Sequence, residues 1–407
     1  MKNTVNQLKI AMIGAKGAPA IFGGIERSVD ELGSRLAEMG HSVTVYCRSW
    51  YTRIKKRTYK GMRLQMVPTM HTKHLDAITH TFFATIHAMW QGFDVYHFHG
   101  VGPSLLSFLP RIFRPGATVI VSFQSIDREH AKWGWFARMM LHLGEWVSVK
   151  AAHEVLASSH MIRTYIKKSY NETATYLPNG ASQPWPAVPA VERALIAPWN
   201  IEPKKYIVVV TRLIAHKAVH EAIDAFIIAK SLSLDPRMQG MQLVIVGDGS
   251  YTEKYVAELH ERARGHEDII FTGYQSGLAL AALMRNAYVG VHASHAEGLP
   301  MSVLELMVYG VPVIVSDIIP HREAMGDLSW QYPVGAKGVL AERIMRAVTD
   351  PAWVAMGSSY SRQRIALRYD WDTLAQSLSK RYTALAGMAV QDLKKHSISA
   401  QTSKISG

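Results

Sequence analysis

The sequence predicts an α/β protein of two units, each a doubly wound parallel sheet. Short β-branched runs alternate with helical patterns along the chain, as when each strand is followed by a crossover helix. At 407 residues the chain exceeds what one ordinary core buries, so two domains are expected. Gln183-Pro-Trp-Pro-Ala-Val-Pro-Ala190 has the composition of a linker between them.

In the first half, Leu8–Ile13 reads as a buried strand and Gly24–Met39 as a helix ended by Gly40-His41. Ser42–Cys47 is the next strand, followed by Arg63–Val67, Val95–Phe98, Thr118–Ser122, Glu154–Ala157 and Ala174–Tyr176. In the second half the strands are Tyr206–Val210, Gln242–Val246, Ile269–Thr272, Tyr288–Val291 and Val313–Ser316. A last amphipathic helix runs from Trp371 to about Ala386, and residues 388–407, polar and rich in Ser and Lys, are predicted to be disordered. The expected bounds are 1–190 and 191–368 for the two units, 369–387 for the closing helix and 388–407 for the tail. Two such units place a ligand cleft between them, at the carboxyl ends of the strands.

Composition narrows the class. With 48% apolar and 19% charged residues the chain is globular, not disordered. Its single cysteine, Cys47, excludes a disulfide scaffold and suits a reducing cytoplasm. The apolar run Ile10–Ile13 is too short for a signal-peptide core, and no stretch approaches the ~20 residues of a membrane span.

A net charge of +13 asks for an anionic partner. Between Arg48 and Lys73 there are eight Lys or Arg and no acid, interleaved with Trp50, Tyr51 and Tyr59. In a second zone, 128–150, Trp133, Phe136, Met140, Leu143 and Val147 keep helical spacing, with Lys132, Trp135, Arg138 and His142 off that stripe. Either zone alone fits a solvated basic face. Together they favour an anionic membrane surface, with the protein peripheral at the inner face of the cytoplasmic membrane. Nucleic acid is disfavoured, because no helix-turn-helix, zinc-finger or stacking-sheet motif accompanies the charge.

Four constellations carry chemistry. Glu297-Gly-Leu-Pro-Met-Ser-Val-Leu-Glu305 sets two carboxylates eight apart, one in a loop and one in a short helix that is apolar on every side. Such a helix should be buried, and a buried carboxylate needs a partner. Either Glu305 meets a buried Arg, or a polar ligand sits over the helix start with its hydroxyls on both carboxylates. Arg212 and Lys217 leave a strand five apart, where they suit a pyrophosphate or are plain surface cations. Gly23-Gly24 opens a helix after the first strand; this is a tight turn or an anion-binding approach, but neither a dinucleotide fingerprint nor a phosphate loop. In Asp94-Val-Tyr-His97-Phe-His99-Gly100 the two histidines share a strand face. No third ligand has matching spacing, so no metal is expected, and His99 at the strand end is the better candidate to line the cleft.

These segments, with Leu177-Pro-Asn179-Gly180, Val246-Gly-Asp-Gly249, Phe271-Thr-Gly273 and Tyr369-Asp-Trp371, resemble the family 4 retaining glycosyltransferases of the GT-B fold over nearly the whole chain. Within the family, Pro19 to Glu26 is similar to the loop of bacterial exopolysaccharide and lipopolysaccharide enzymes of rhamnosyl- or mannosyltransferase type. The resemblance implies that the closing helix returns to the first unit. It implies a nucleoside-diphosphate sugar donor, a glycan acceptor, lipid-linked in this setting, and a metal-independent reaction without a cofactor.

Glu305 would hold the donor ribose and Glu297 the donor sugar hydroxyls. Arg212, Lys217 and the amides of Met301 and Ser302 would neutralise the leaving diphosphate; Gly23 and Gly24 would approach the donor, while His99 and Asn179 would line the acceptor side. Two departures stand out. Gln124 occupies the position where the family often has His; it can hydrogen-bond a sugar but not titrate, which leaves Asp127 as an acceptor-side base. Ala218 follows Lys217 where Gly is usual, expected to be a minor packing change. The rivals are another enzyme class on the same fold, such as a nucleotide-sugar epimerase or a phosphorylase, and a non-catalytic subunit of a glycan-assembly complex.

Overall fold

The computed structural model describes residues 7–405, except 22, 53, 55, 73–74, 126–134, 182–183, 250–251 and 327–329; for 135–138 and 390–405 it describes only the backbone. The chain divides into Met1–Asn179 with Trp371–Gly407, and Gly180–Asp370. The division falls before the proline-rich segment. There Ala181 bridges Asp370, and its N–H donates to the Tyr369 carbonyl at 2.7 Å, tying entry and exit of the second unit together.

The first unit holds an eight-stranded sheet: β1 (Lys9–Ile13), β2 (Ser42–Arg48), β3 (Thr58–Tyr59), β4 (Met62–Val67), β5 (Val95–His99), β6 (Thr118–Phe123), β7 (Glu154–Ala157) and β8 (Thr175–Tyr176). Their order is β3-β4-β2-β1-β5-β6-β7-β8, parallel except for β3 on β4. Every residue of β5 and β6 is buried, which is why these strands read as unbroken runs rather than alternating ones.

The second unit holds a six-stranded parallel sheet: β9 (Tyr206–Val210), β10 (Gln242–Val246), β11 (Ile269–Gly273), β12 (Val289–His292), β13 (Val313–Ser316) and β14 (Gln331–Tyr332), in the order β11-β10-β9-β12-β13-β14. Only β3 and β14 escape the sequence reading, two residues each and too short to show periodicity.

Each sheet reverses its strand order once, and the loops leaving the two strands at the reversal lie side by side. In the first unit these strands are β1 and β5. Gly14, with φ +107°, leaves β1 so close to β5 that a Cβ would lie 2.6 Å from the His99 carbonyl oxygen. In the second unit they are β9 and β12, which bring the loops carrying Lys217 and Glu297 together.

The last helix packs on the first unit: Arg35 pairs with Asp372 at 2.5 Å, His41 with Ser379 at 2.7 Å, and His97 with the Tyr382 hydroxyl at 2.6 Å. It is continuous over Trp371–Ile405, past the expected end at 387, because residues 388–405 contain no Pro or Gly to stop it. No helix among the described residues is long and apolar enough to cross a membrane.

Candidate active site

The site is built from the two loops at the β9/β12 reversal. After β9, Ala215–Lys217 forms a 3₁₀ turn, Ala218 takes a left-handed conformation (φ 48°, ψ 38°), and the helix Val219–Leu232 begins. The expected minor packing change at Ala218 is therefore a backbone matter. A residue with a Cβ costs roughly 1–2 kcal/mol in that conformation, where Gly costs little.

The loop after β12 is laced to this turn. The His295 N–H donates to the His216 carbonyl at 2.8 Å, and His295 Nε2 lies 2.6 Å from Glu221 Oε1. Between these ties, the buried Lys217 ammonium bonds Glu297 Oε1. Ser294 Oγ donates to the same oxygen at 2.8 Å, and His292 Nε2 stands 3.5 Å from it. All these contacts fall on Oε1.

Two histidines that the sequence reading passed over sit against this carboxylate. His292 ends β12 and His321 follows β13; both are buried. If each proton is used once, Ser294 donates to Glu297 and accepts from His292 Nδ1 at 3.1 Å. His321 Nδ1 donates to the Ser316 carbonyl at 2.9 Å, and its Nε2 has no hydrogen-bond partner among the described residues. Burial pushes His292 down to about 3 and His321 down to about 4, so both are neutral at pH 7. Burial, the largest single influence, would raise Glu297, but the Lys217 charge and hydrogen bond together with the adjacent His292 and His321 outweigh it and hold the carboxyl at about 2.

His292, Glu297 and His321 offer ligand atoms within 4.8 Å of one another, and are the group among the described residues spaced to hold a metal ion. At that carboxylate the Lys217 ammonium already supplies a positive charge. The His97/His99 pair has no such geometry: both nitrogens of His97 are engaged, by Tyr382 and by Ser122, each at 2.6 Å.

The helix Met301–Val308 is not buried on every side as expected. Val303, Leu304, Leu306 and Met307 face the core, while Met301, Ser302, Glu305 and Val308 form a half-buried face at helical spacing. Glu305 therefore lies on the accessible side, and the deeply held carboxylate is Glu297. No side chain caps the helix start, so the backbone N–H groups of its first turn are turned to whatever lies beyond. Arg212, on the β9 loop, is exposed.

In the first unit Gly23, with φ +103°, caps the helix Gly24–Glu38, and a Cβ there would collide with the Glu26 carboxylate. Glu26 accepts the Lys16 N–H at 3.0 Å, closing the loop on itself. His99 and Asn179 are 1% and 4% exposed, so neither lines an open surface; His99 lies beneath the β1 loop. Gln124 is half-buried beside Ser122 and Pro178 in a small crevice. Asp127 lies outside the described residues, as do the side chains of Lys132, Trp133, Trp135, Phe136 and Arg138.

Two units, each a parallel α/β sheet with loops gathered at a strand-order reversal, form the architecture of the GT-B fold. Residues 22–182 match the family model described as Glycosyltransferase Family 4, and residues 192–364 the model described as Glycosyl transferases group 1. The chain belongs to the glycosyltransferases that these two models together describe over most of its length, and it has the GT-B fold. It is 25% identical over 419 residues to a glycogen synthase of Mycobacterium tuberculosis, covering 93% of this chain and 95% of that protein. It is 21% identical over 242 residues to O-antigen chain mannosyltransferase B of Escherichia coli, covering 58% and 62%. Among solved structures, HepE of Anabaena in complex with UDP superposes with a TM-score of 0.72 at 17% identity, covering 93% of this chain and 100% of that one.

Proposed function

We propose that the protein transfers a sugar, with retention and without a metal, from a nucleoside-diphosphate donor to a lipid-linked glycan at the inner face of the cytoplasmic membrane. The observation that carries this is the Lys217–Glu297 pair beside the uncapped start of the Met301–Val308 helix. Breaking the anomeric bond leaves negative charge on the diphosphate. Lys217 keeps ammonium protons beyond the one given to Glu297, and with Arg212 and the Met301 and Ser302 amides it offers fixed positive charge for that leaving group. Glu297 Oε2 accepts from a donor sugar hydroxyl, and Glu305, on the accessible helix face, from the ribose. In the first unit Gly23 and Gly24 offer backbone amides to a ligand and Gln124 a hydrogen bond to the acceptor, with Asp127 as its base, while His99 and Asn179 stay buried beneath that surface. UDP bound to HepE supports a nucleotide donor.

Two measurements test this. Arg212→Ala should weaken nucleoside-diphosphate binding by roughly 1.5–3 kcal/mol, the worth of a charged hydrogen bond, and leave nucleoside affinity nearly unchanged. Lys217→Ala should do at least as much, because it also strips Glu297 of its counter-charge. Equal losses for nucleoside and diphosphate in calorimetric titration would reduce both residues to structural supports. EDTA should leave turnover within a few-fold. Complete loss restored by Mg²⁺ or Mn²⁺ would overturn the metal-free mechanism and direct attention to His292, Glu297 and His321.

A further inference from the structure

The first unit carries two helices that are inside-out. In the helix Asp76–Gln91 the buried face is small or polar: His80, Thr81, Ala84, Thr85 and Ala88. Its outward face holds Phe82, Ile86 and Trp90 at i, i+4 and i+8, and Trp90 is 89% exposed. In the helix Trp135–Ala151, Gly144, Glu145 and Ser148 are buried while Leu143 and Trp146 face out. The short helix Phe108–Phe113 packs against both and exposes Ile112 and Phe113. A soluble surface does not concentrate large apolar side chains in this way unless something covers them.

The charges say what covers them. On these helices Asp76 is ion-paired to Arg48 at 2.5 Å, and Glu145 is fully buried beneath the Tyr165 and Tyr170 hydroxyls. The described charged side chains left exposed on or beside them are Arg111, Arg114, Lys150 and Asp94, and Lys150 is ion-paired to the half-exposed Glu172 at 2.6 Å. An apolar face with Trp90 and Trp146, bordered by the exposed Arg111 and Arg114, matches an anionic bilayer, whose acyl boundary takes the first and whose headgroups take the second. The Arg48–Lys73 segment is a poorer candidate than its composition suggests: Arg48 and Tyr51 are buried, and Lys60 pairs with Asp30 at 3.4 Å.

We propose that the outer faces of these three helices form the docking surface of the protein on an anionic lipid bilayer. The inference rests on the membrane part of the function proposed above and assigns it a place.

The test uses the full chain. Because the single cysteine is buried, Ile86→Cys can be labelled selectively with a polarity-sensitive dye, with Leu234→Cys on the second unit, 95% exposed, as control. Vesicles of equal parts phosphatidylcholine and phosphatidylglycerol should shift the Ile86 dye to the blue and leave the Leu234 dye unchanged. High salt should weaken the shift without abolishing it. Ile86→Glu with Trp90→Glu and Phe113→Glu should lower vesicle partitioning by about ten-fold or more, since each removes apolar contact and adds a repelled charge. Turnover on a water-soluble acceptor should stay at the wild-type level. No dye shift, an equal shift at both sites, or unchanged partitioning of the triple variant overturns the docking surface. So does a lipid-independent dimer that protects the Ile86 dye, which would make a second copy the occupant. Loss of turnover on the soluble acceptor in the unsubstituted protein would instead overturn the function proposed above, leaving the vesicle result to stand by itself.

Discussion

Glu297→Gln is expected to lower turnover on the order of 10²–10³-fold, the loss typical of one transition-state contact. The carboxylate holds Lys217 and accepts from Ser294, so the amide removes the charge while preserving most of the shape. Glu297→Ala should do worse in a different way. It leaves the Lys217 ammonium, 8% exposed, without a counter-charge, and removing one partner of a buried pair costs about 3–5 kcal/mol. An ordinary loop Glu can be lost without cost to the fold. The structure makes Glu297 part of the lacing between two loops, so Ala should lower the urea midpoint and Gln should lower it less. A double variant, Glu297→Gln with Lys217→Met, separates the two contributions. It should recover stability relative to Glu297→Ala without recovering turnover. Near-normal turnover in folded Glu297→Gln would remove the residue from the reaction.

Most of the fold is legible in the sequence because its strands are buried on both faces and bounded by turn residues. Tyr206–Val210, Gln242–Val246, Val313–Ser316 and Glu154–Ala157 have the bounds their β-branched runs predict. Periodicity says less about which side of a helix faces inward. The Asp76–Gln91 helix buries alanines, threonines and a histidine and exposes phenylalanines, the reverse of the usual pattern, so no hydrophobic stripe marks its core face. In the helix Met301–Val308, apolar residues all round suggested full burial, yet the face carrying Glu305 is half-open.

At the site, Glu297, Lys217, Arg212 and Glu305 stand out in the sequence because charged residues are rare beside apolar strands. His292 and His321 do not stand out. Each is a single histidine at a strand end, and only the β9-β12-β13 adjacency brings them to the same carboxylate. The available signal was positional: both lie at the carboxyl ends of strands flanking the reversal.

Acid should destabilise this protein well above the range in which carboxylates titrate. Burial pushes His80, His99 and His292 down to about 3 and His321 to about 4, and it lowers His97 as well. In the unfolded chain these imidazoles titrate near 6.5. Between 6.5 and the folded values the unfolded state binds protons that the native state refuses, so this stabilisation is complete above about pH 6.5 and is lost as the pH falls. A difference of one proton changes stability by about 1.4 kcal/mol per pH unit, and five such groups make the slope steep. Glu297, depressed to about 2, adds its own loss only between its unfolded value of 4.5 and 2. Urea midpoints should therefore decline from pH 6 to pH 5, where an ordinary domain is near its maximum. His99→Leu should flatten that slope, since neither ring nitrogen of His99 has a hydrogen-bond partner among the described residues and Leu can still pack against the His97 ring, 3.9 Å away, without titrating. Equal midpoints at pH 7 and pH 5 would mean that these imidazoles reach solvent or gain protons in the native state, and the neutral histidines beside Glu297 would have to be redrawn.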